Sequence, residues 1–111
     1  MEKQAQFTNK KILFDKSVDF PELPGVYKFF NSENEIIYIG KAKNISNRVK
    51  SYLNVRKDDS KRIAKLKSSI KYIETIITKT ESDALILEQG LISKKRPPFN
   101  IQFRDDKSYP A

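Results

Sequence analysis

The sequence predicts an α+β fold in which helices flank a small three-stranded antiparallel sheet. Three short runs rich in β-branched and aromatic residues alternate from side to side, which is the period of a strand. Three other segments carry apolar residues at three- and four-residue steps, which is the period of a helix with one buried face. A chain of 111 residues is long enough for one such domain and too short for two.

The beginning of the chain, residues 1–20, is predicted to be an arm or a short helix around Ile12. Residues 21–111 are predicted to form the domain itself. Pro21 and Pro24 stiffen the entry into its first strand, because proline fixes one backbone dihedral angle and restrains the residue before it.

A β-hairpin is predicted next. Its strands are residues 26–30 and 35–39, and the four polar residues between them suit a turn. Tyr27 and Tyr38 lie one on each strand, so a twisted antiparallel pairing can place both rings on the same side of the sheet. The register of that pairing is not set by the sequence. Gly40 is expected to end the second strand.

Two helices follow the hairpin in the prediction. Asn44 suits the N-cap of a helix over 44–53, because its side chain can accept a hydrogen bond from the first turn. Ile45, Val49 and Leu53 recur at four-residue steps and form the buried face of that helix. A second helix is predicted over 60–69.

The rest of the chain is predicted to contain one strand, one helix and a turn. The strand covers 71–78, where β-branched residues alternate. The helix covers 81–95, with Thr80 or Ser82 as its N-cap. Two prolines end it, and Asn100 after them is interpreted as a turn residue whose amide binds backbone.

Composition restricts the classes of function. Lys and Arg number 22 against 14 Asp and Glu, a formal net charge of +8, which favours a polyanionic partner. No apolar run approaches the roughly 18 residues that cross a membrane. Cysteine is absent, which excludes a disulfide framework and is typical of a reducing compartment. We therefore expect a cytoplasmic protein.

Histidine is absent as well, and this restricts the chemistry. Acid–base catalysis must use tyrosine, lysine, arginine or carboxylates. A bound metal ion would have oxygen ligands, which favours Mg²⁺ or Mn²⁺ over zinc.

Positive charge is concentrated between Lys41 and Lys71. This segment holds eleven Lys and Arg against two Asp. One interpretation is an ordinary solvated helical surface, and the other is contact with the phosphates of a nucleic acid, without base-specific recognition. The predicted DNA-binding residues are Lys43, Lys50, Lys57, Lys61 and Lys65.

Glu88 is the carboxylate that the helical pattern singles out. It is predicted to lie in the middle of the apolar face of the last helix and to point inward, between Ala84 and Leu91 on one side and Leu85 and Ile92 on the other. A buried carboxylate needs a proton, a cationic side chain or a metal ion. An ion pair with Lys or Arg and a metal site are both open interpretations.

Several short motifs together resemble the GIY-YIG nucleases. The triplets GVY at 25–27 and YIG at 38–40 resemble the pair that names this family. The similarity continues through YIGKAKN, TESDALILEQGLI, PPFN and RDDKSYP. This order resembles the N-terminal nuclease domain of the UvrC family, the incision subunits of bacterial nucleotide excision repair.

The resemblance implies a metal-dependent DNA endonuclease that cuts on the 3′ side of a damaged nucleotide. It implies one divalent cation, Mg²⁺ or Mn²⁺, held by Glu88, with Gly40 and Asn100 supporting the site. The catalytic residues that it implies are Tyr27, Tyr38, Lys41, Arg48 and Tyr52.

The expected reaction is hydrolysis of one phosphodiester by water. Arg48 would neutralise charge on the non-bridging oxygens, while Tyr38 or Tyr27 would deprotonate the water. A free tyrosine has a pKa of about 10, so Lys41, Arg48 and the cation are expected to lower it.

The implied partners are damaged duplex DNA and a UvrB-type helicase subunit, the latter bound through regions beyond these 111 residues. We therefore expect an excised domain of a longer protein. Two other functions fit the sequence: a non-catalytic basic DNA-binding module and a stand-alone GIY-YIG endonuclease.

Overall fold

One antiparallel sheet of four strands forms the centre of the described part of the molecule. The computed structural model describes residues 11–106, with side chains as far as Phe103. The strands are β1 (Lys11–Leu13), β2 (Gly25–Phe30), β3 (Ile36–Ala42) and β4 (Tyr72–Ile77). They lie in the order β1-β4-β2-β3, and every neighbouring pair is antiparallel. The predicted α+β class is confirmed, but the predicted number of strands was wrong.

The additional strand, β1, lies where an arm or a short helix was predicted. Ile12 pairs with Ile73 of β4, so the short-helix alternative is wrong for Lys11–Leu13. Three residues are too few to show an alternating pattern, and the partner strand decides the conformation. Residues 1–10 and 107–111, which include the start of the predicted arm and the end of the RDDKSYP motif, lie outside the described residues.

Four helices occur in the described residues. They are α1 (Ile45–Lys50), α2 (Lys61–Ser69), α3 (Glu81–Lys95) and α4 (Pro98–Asp106). Asn44, Ser60 and Thr80 cap the first three, each accepting a hydrogen bond from the backbone N–H three residues later. Every helix in residues 11–106 is too short or too polar to cross a membrane.

Two helix boundaries differ from the prediction. α1 is shorter than expected, because the chain turns after Lys50 and the N–H of Tyr52 binds the Val49 carbonyl at 3.0 Å. α4 replaces the predicted turn around Asn100. Pro98 takes its first position, where a missing N–H costs no intrahelical hydrogen bond.

Helices pack on both faces of the sheet and define two cores. On one face α3 places Ala84 against Val26 and Ile39. The larger core, on the other face, contains side chains from α1, α2 and α4. Its most deeply buried members are Tyr27, Phe29, Ile45, Val49, Leu66 and Phe103. Successive residues of β3 contact different cores, Tyr38 the larger one and Ile39 the one beneath α3. Because β3 is also an edge strand, its outer backbone groups face the open side of the sheet.

Candidate active site

Three tyrosines meet on the larger core's face of the sheet. Tyr27 on β2 and Tyr38 on β3 lie on the same side, one of the arrangements that the sequence allows, and Tyr52 joins them from the turn after α1. Ring centroids are 6.3 Å apart for Tyr27 and Tyr38, and 5.8 Å for Tyr27 and Tyr52. The hydroxyls of Tyr27 and Tyr52 share a hydrogen bond of 3.2 Å. The cluster is therefore a packed and hydrogen-bonded unit.

Gly40 makes room for this cluster. It lies opposite Tyr27 in the β2–β3 register. A Cβ atom on Gly40 would lie 2.3 Å from the Tyr27 hydroxyl oxygen, so a larger residue would displace the ring. The strand does not end at Gly40 as predicted, since β3 continues to Ala42. The glycine is explained by the close approach of the tyrosine.

Burial determines the protonation of the tyrosines. Tyr27, Tyr38 and Tyr52 are 1%, 5% and 3% exposed. Desolvation raises the pKa of all three hydroxyls, and the nearby charge of Arg48 lowers the pKa without overcoming this effect. Arg48 thus lowers the tyrosine pKa in the expected direction, but burial outweighs it and the net shift is upward. All three phenols are protonated at neutral pH in the free chain.

Glu88 lies at the border of the buried face of α3, and the prediction that it lies in the middle was wrong. Leu85 is 43% exposed, while Ala84 is fully buried, so the buried stripe is displaced away from Leu85. Glu88 itself is half-buried. It projects to the side of the helix, where a partly enclosed carboxylate can meet a ligand.

The carboxylate of Glu88 has no ion-pair partner among the described residues. Its hydrogen-bond donor there is the Gln89 side-chain amide at 3.2 Å. Burial raises the pKa of Glu88, and the Gln89 hydrogen bond and the charge of Lys41 partly offset that rise. Of the two interpretations left open by the sequence, the structural ion pair is therefore not observed.

Asn100 joins α4 to the open edge of the sheet. Its side-chain oxygen accepts a hydrogen bond from the Ile39 N–H at 2.8 Å, and its amide donates to the Ile39 carbonyl at 2.9 Å. Asn100 thus binds backbone, as predicted, but from a helix and not from a turn. Both backbone groups of Ile39 that face away from β2 are satisfied, which holds β3 next to Tyr38.

A cavity of about 520 Å³ opens beside these residues. Tyr38, Glu88 and Asn100 contribute to its lining, and so do Ser93 and Arg96, neither of which was predicted as a site residue. No local pattern marks Arg96 as a site residue, because only the turn between α3 and α4 brings it here. The volume is in the range of pockets that hold small ligands.

The lining suits a hard divalent cation. It offers oxygen donors and one carboxylate, Glu88. Among residues 11–103 no group of three or more His, Cys, Asp or Glu side chains could enclose a metal ion. Mg²⁺ fits such a site, because it commonly binds one or two carboxylates and keeps several waters or phosphate oxygens as its other ligands.

The predicted DNA-binding lysines all lie on the surface. Lys43, Lys50, Lys57, Lys61 and Lys65 are exposed. Lys67 is different, because its ammonium group pairs with Asp59 at 2.8 Å and donates to the Asn54 carbonyl at 3.2 Å. The basic segment therefore contains both surface cations and one lysine with a structural role.

Comparison with known proteins identifies the family. The family described as the UvrC-like GIY-YIG domain matches residues 23–101. The UvrABC system protein C of Bdellovibrio bacteriovorus is 53% identical over 96 residues, covering 86% of this chain and 15% of that protein. The protein of the same name from Neisseria meningitidis serogroup B is 46% identical over 109 residues, covering 92% of this chain and 18% of that protein. The chain thus spans less than a fifth of these relatives.

A solved structure agrees with the fold as well as the sequence. The N-terminal endonuclease domain of UvrC from Thermotoga maritima, bound to magnesium, has a TM-score of 0.62 and 44% identity. The match covers 71% of this chain and 84% of that one. The matched family segment contains both triplets, Glu88 and Asn100. The resemblance inferred from the motifs is confirmed, and the chain belongs to the family of UvrC-like GIY-YIG domains.

Proposed function

We propose that this chain is a divalent-metal-dependent DNA endonuclease module. It would hydrolyse one phosphodiester on the 3′ side of a damaged nucleotide in nucleotide excision repair. The observation that carries this proposal is the carboxylate of Glu88, which opens into the same cavity as Tyr38 and has no cationic partner among the described residues. The magnesium-bound relative supports the same assignment.

Glu88 would hold one Mg²⁺ or Mn²⁺ ion, with waters and phosphate oxygens as the remaining ligands. When bound, the cation polarises the phosphate and stabilises the leaving oxygen. Lys41 acts on the same carboxylate through its charge and would limit repulsion between Glu88 and DNA. The single carboxylate leaves room for the substrate.

Tyr38 is the tyrosine that we place next to the attacking water. It lines the cavity, whereas Tyr27 is almost fully buried and bound to Tyr52. As a protonated phenol Tyr38 would accept a hydrogen bond from the attacking water and donate one to the phosphate, while Tyr52 and Tyr27 hold its ring in place. The proton that the water loses would pass to a non-bridging phosphate oxygen and from there to the leaving oxygen. Arg48, whose charge acts on all three hydroxyls, would neutralise the phosphate oxygens.

The partners and the location follow from this activity. DNA would contact the five exposed lysines of the basic segment through its phosphates. A UvrB-type helicase subunit would bind through regions outside this sequence and deliver the damaged strand. Such a reaction belongs in the cytoplasm, which agrees with the cysteine-free composition.

The test is an incision assay on damaged duplex DNA loaded with the helicase subunit, with Mg²⁺ or with a chelator. We expect incision by the wild type with Mg²⁺ and none with the chelator. Glu88→Gln should abolish incision while the protein still binds DNA and melts near the wild-type temperature, because the amide keeps the shape without the charge.

Arg48→Ala should also lower the incision rate strongly. Arg48→Lys is not expected to restore the full rate, because lysine lacks the planar guanidinium.

Other outcomes favour the other functions. Incision by Glu88→Gln in proportion to its folded fraction would refute the metal-ligand role. DNA binding by the wild type without incision in any metal would indicate a non-catalytic module. Strong cutting of free DNA without lesion or helicase subunit would indicate a stand-alone nuclease, since positioning supplies much of the rate in a dependent one.

A further inference from the structure

Arg96 has an unusual backbone conformation at the end of α3. Its φ and ψ angles are 48° and 59°, in the left-handed region, and its N–H binds the Ile92 carbonyl at 2.8 Å. Glycine is the usual residue at such a helix end, because a Cβ atom is unfavourable there. The chain carries a long cationic side chain at a position where a glycine would be less strained. Such an outlier points to a use for the side chain.

The surroundings of Arg96 indicate what that use is. Among the residues that line the cavity, Arg96 is the single cation and Glu88 the single carboxylate. Its side chain is exposed and has no hydrogen-bond or ion-pair partner in the described part of the chain. Lys41 and Arg48, the cations implied by the family resemblance, do not line this cavity. Arg96 is therefore a cation of this cavity that the family resemblance does not imply.

The helix sets the spacing between the two charged residues. Arg96 follows Glu88 by eight residues, about 12 Å along the helix axis. The two backbone positions are thus separated along one wall of the same cavity, so the Arg96 side chain can reach a phosphate next to the one that would contact a cation on Glu88. A planar guanidinium binds phosphate through two parallel hydrogen bonds, which fixes orientation as well as charge.

We propose that Arg96 binds a phosphate of the DNA backbone, and that this phosphate is not the one at which the strand is cut. With this phosphate held at one end of the cavity, the strand is fixed in register across Glu88. Arg96 is thus a DNA-positioning residue. The inference rests on the proposed endonuclease function and adds a second phosphate site to it.

The chain offers a matched control. Lys94 and Lys95 lie in the same last turn of α3, are exposed, and do not line the cavity. If Arg96 were an ordinary cation near the negative end of the helix dipole, Lys94→Ala would have the same effect on DNA binding as a change at Arg96.

The experiment measures binding of a labelled DNA duplex and of a single strand over a salt series, with melting curves for each protein. Arg96→Gly should melt at or above the wild-type temperature, because glycine accepts the left-handed conformation. Its affinity at low salt should fall about tenfold, the effect of one charge-assisted hydrogen-bonded contact. The slope of log affinity against log salt should become shallower by about one unit.

Two further variants complete the test. Arg96→Lys should restore the salt slope without the full affinity, because it keeps the charge and loses the fork. The DNA affinity of Lys94→Ala should stay within about twofold of the wild-type affinity. The inference is overturned if Arg96→Gly binds DNA with the same affinity as Lys94→Ala. It is also overturned if the affinity lost in Arg96→Gly is recovered after correction for unfolded protein, or if the wild type does not bind DNA.

This readout is independent of catalysis. Glu88→Gln tests incision, and Arg96→Gly tests binding. A wild type that binds DNA but never incises refutes the endonuclease proposal, and the binding series still decides the role of Arg96.

Discussion

At the scale of single residues, Asn100 takes the place of a missing strand at the open edge of the sheet. Its amide satisfies the N–H and the carbonyl of Ile39, 61 positions earlier in the chain. These groups are buried, so an unpaired N–H or carbonyl would carry its full desolvation cost. The residue next to Ile39 is Tyr38, so the same two hydrogen bonds also fix a candidate catalytic hydroxyl.

Asn100→Ala should therefore lower stability and activity together. We expect a loss of about 1 to 3 kcal/mol in the free energy of unfolding, because two buried backbone groups lose their partner. Urea unfolding measures this change. The incision rate should fall by more than the loss of folded protein explains, because β3 is no longer held in place beside Tyr38. Asn47→Ala, at an exposed asparagine of α1, is the control and should change stability by less than about 0.5 kcal/mol. Equal behaviour of the two variants would contradict this role.

At the scale of helices and strands, the glycines show which positions the packing restricts. A Cβ atom on Gly25 would lie 2.4 Å from the carbonyl oxygen of Ile76 in the neighbouring strand β4. A Cβ atom on Gly90, in the exposed middle of α3, would meet nothing within 4 Å. The first glycine is required by a close approach between strands, and the second has no packing reason in the described residues.

Alanine at these two glycines should change stability in opposite directions. Gly90→Ala should raise the free energy of unfolding by about 0.5 to 1 kcal/mol, because alanine is the better helix former. Gly25→Ala should lower it by about 1 to 3 kcal/mol, because β2 and β4 must separate. Urea midpoints measure both changes. A destabilised Gly90→Ala would mean that this face of α3 is covered by something other than solvent.

The pair between Asp59 and Lys67 should make the loop before α2 sensitive to acid. Asp59 accepts from the Arg56 N–H and from Lys67, each at 2.8 Å, and the backbone hydrogen bond is the first cause of its lowered pKa. A lowered pKa stabilises the fold above the unfolded value of about 4, and the gain is lost as pH falls through the folded pKa. The stability difference between wild type and Asp59→Asn should therefore shrink below about pH 4. A difference that is constant over this range would show that the carboxylate charge contributes nothing.

At the scale of the whole molecule, the net charge of +8 is distributed unevenly. The exposed lysines at 43, 50, 57, 61 and 65 lie on α1, α2 and their connections, while Lys28 and Lys67 are paired with Glu74 and Asp59. The surface cations remain available to DNA phosphates, whose contacts release counterions. DNA affinity should consequently depend on salt and little on base sequence.

Reversing Lys61 and Lys65 to Glu should weaken DNA binding strongly. We expect the affinity of the wild type to fall steeply between about 50 and 200 mM salt, and the salt slope of the variant to be shallower. Reversal of Lys16 and Lys79, two exposed lysines outside the basic segment, changes net charge equally and is the control. Equal losses in the two variants would show that net charge, and not this segment, determines binding.

Local patterns were sufficient for much of the fold. The hairpin, β4 and α3 follow from alternation and helical period, and Asn44, Ser60 and Thr80 begin helices because their side chains bind the first turn. The motifs indicated the family, which the comparisons confirm. All of these signals lie within a few residues of the element that they describe, or within motifs that can be read in order.

Other features depend on residues that are far apart in the chain. β1 is a strand because β4 offers it a partner, and Asn100 binds Ile39 only after α4 folds back onto the sheet edge. The high pKa of the tyrosines results from burial among side chains of several elements. Arg96 lines the same cavity as Glu88 because the chain turns between α3 and α4. Burial, hydrogen-bond partners and electrostatic environment are properties of the packed chain, so they are absent from the local order of residues.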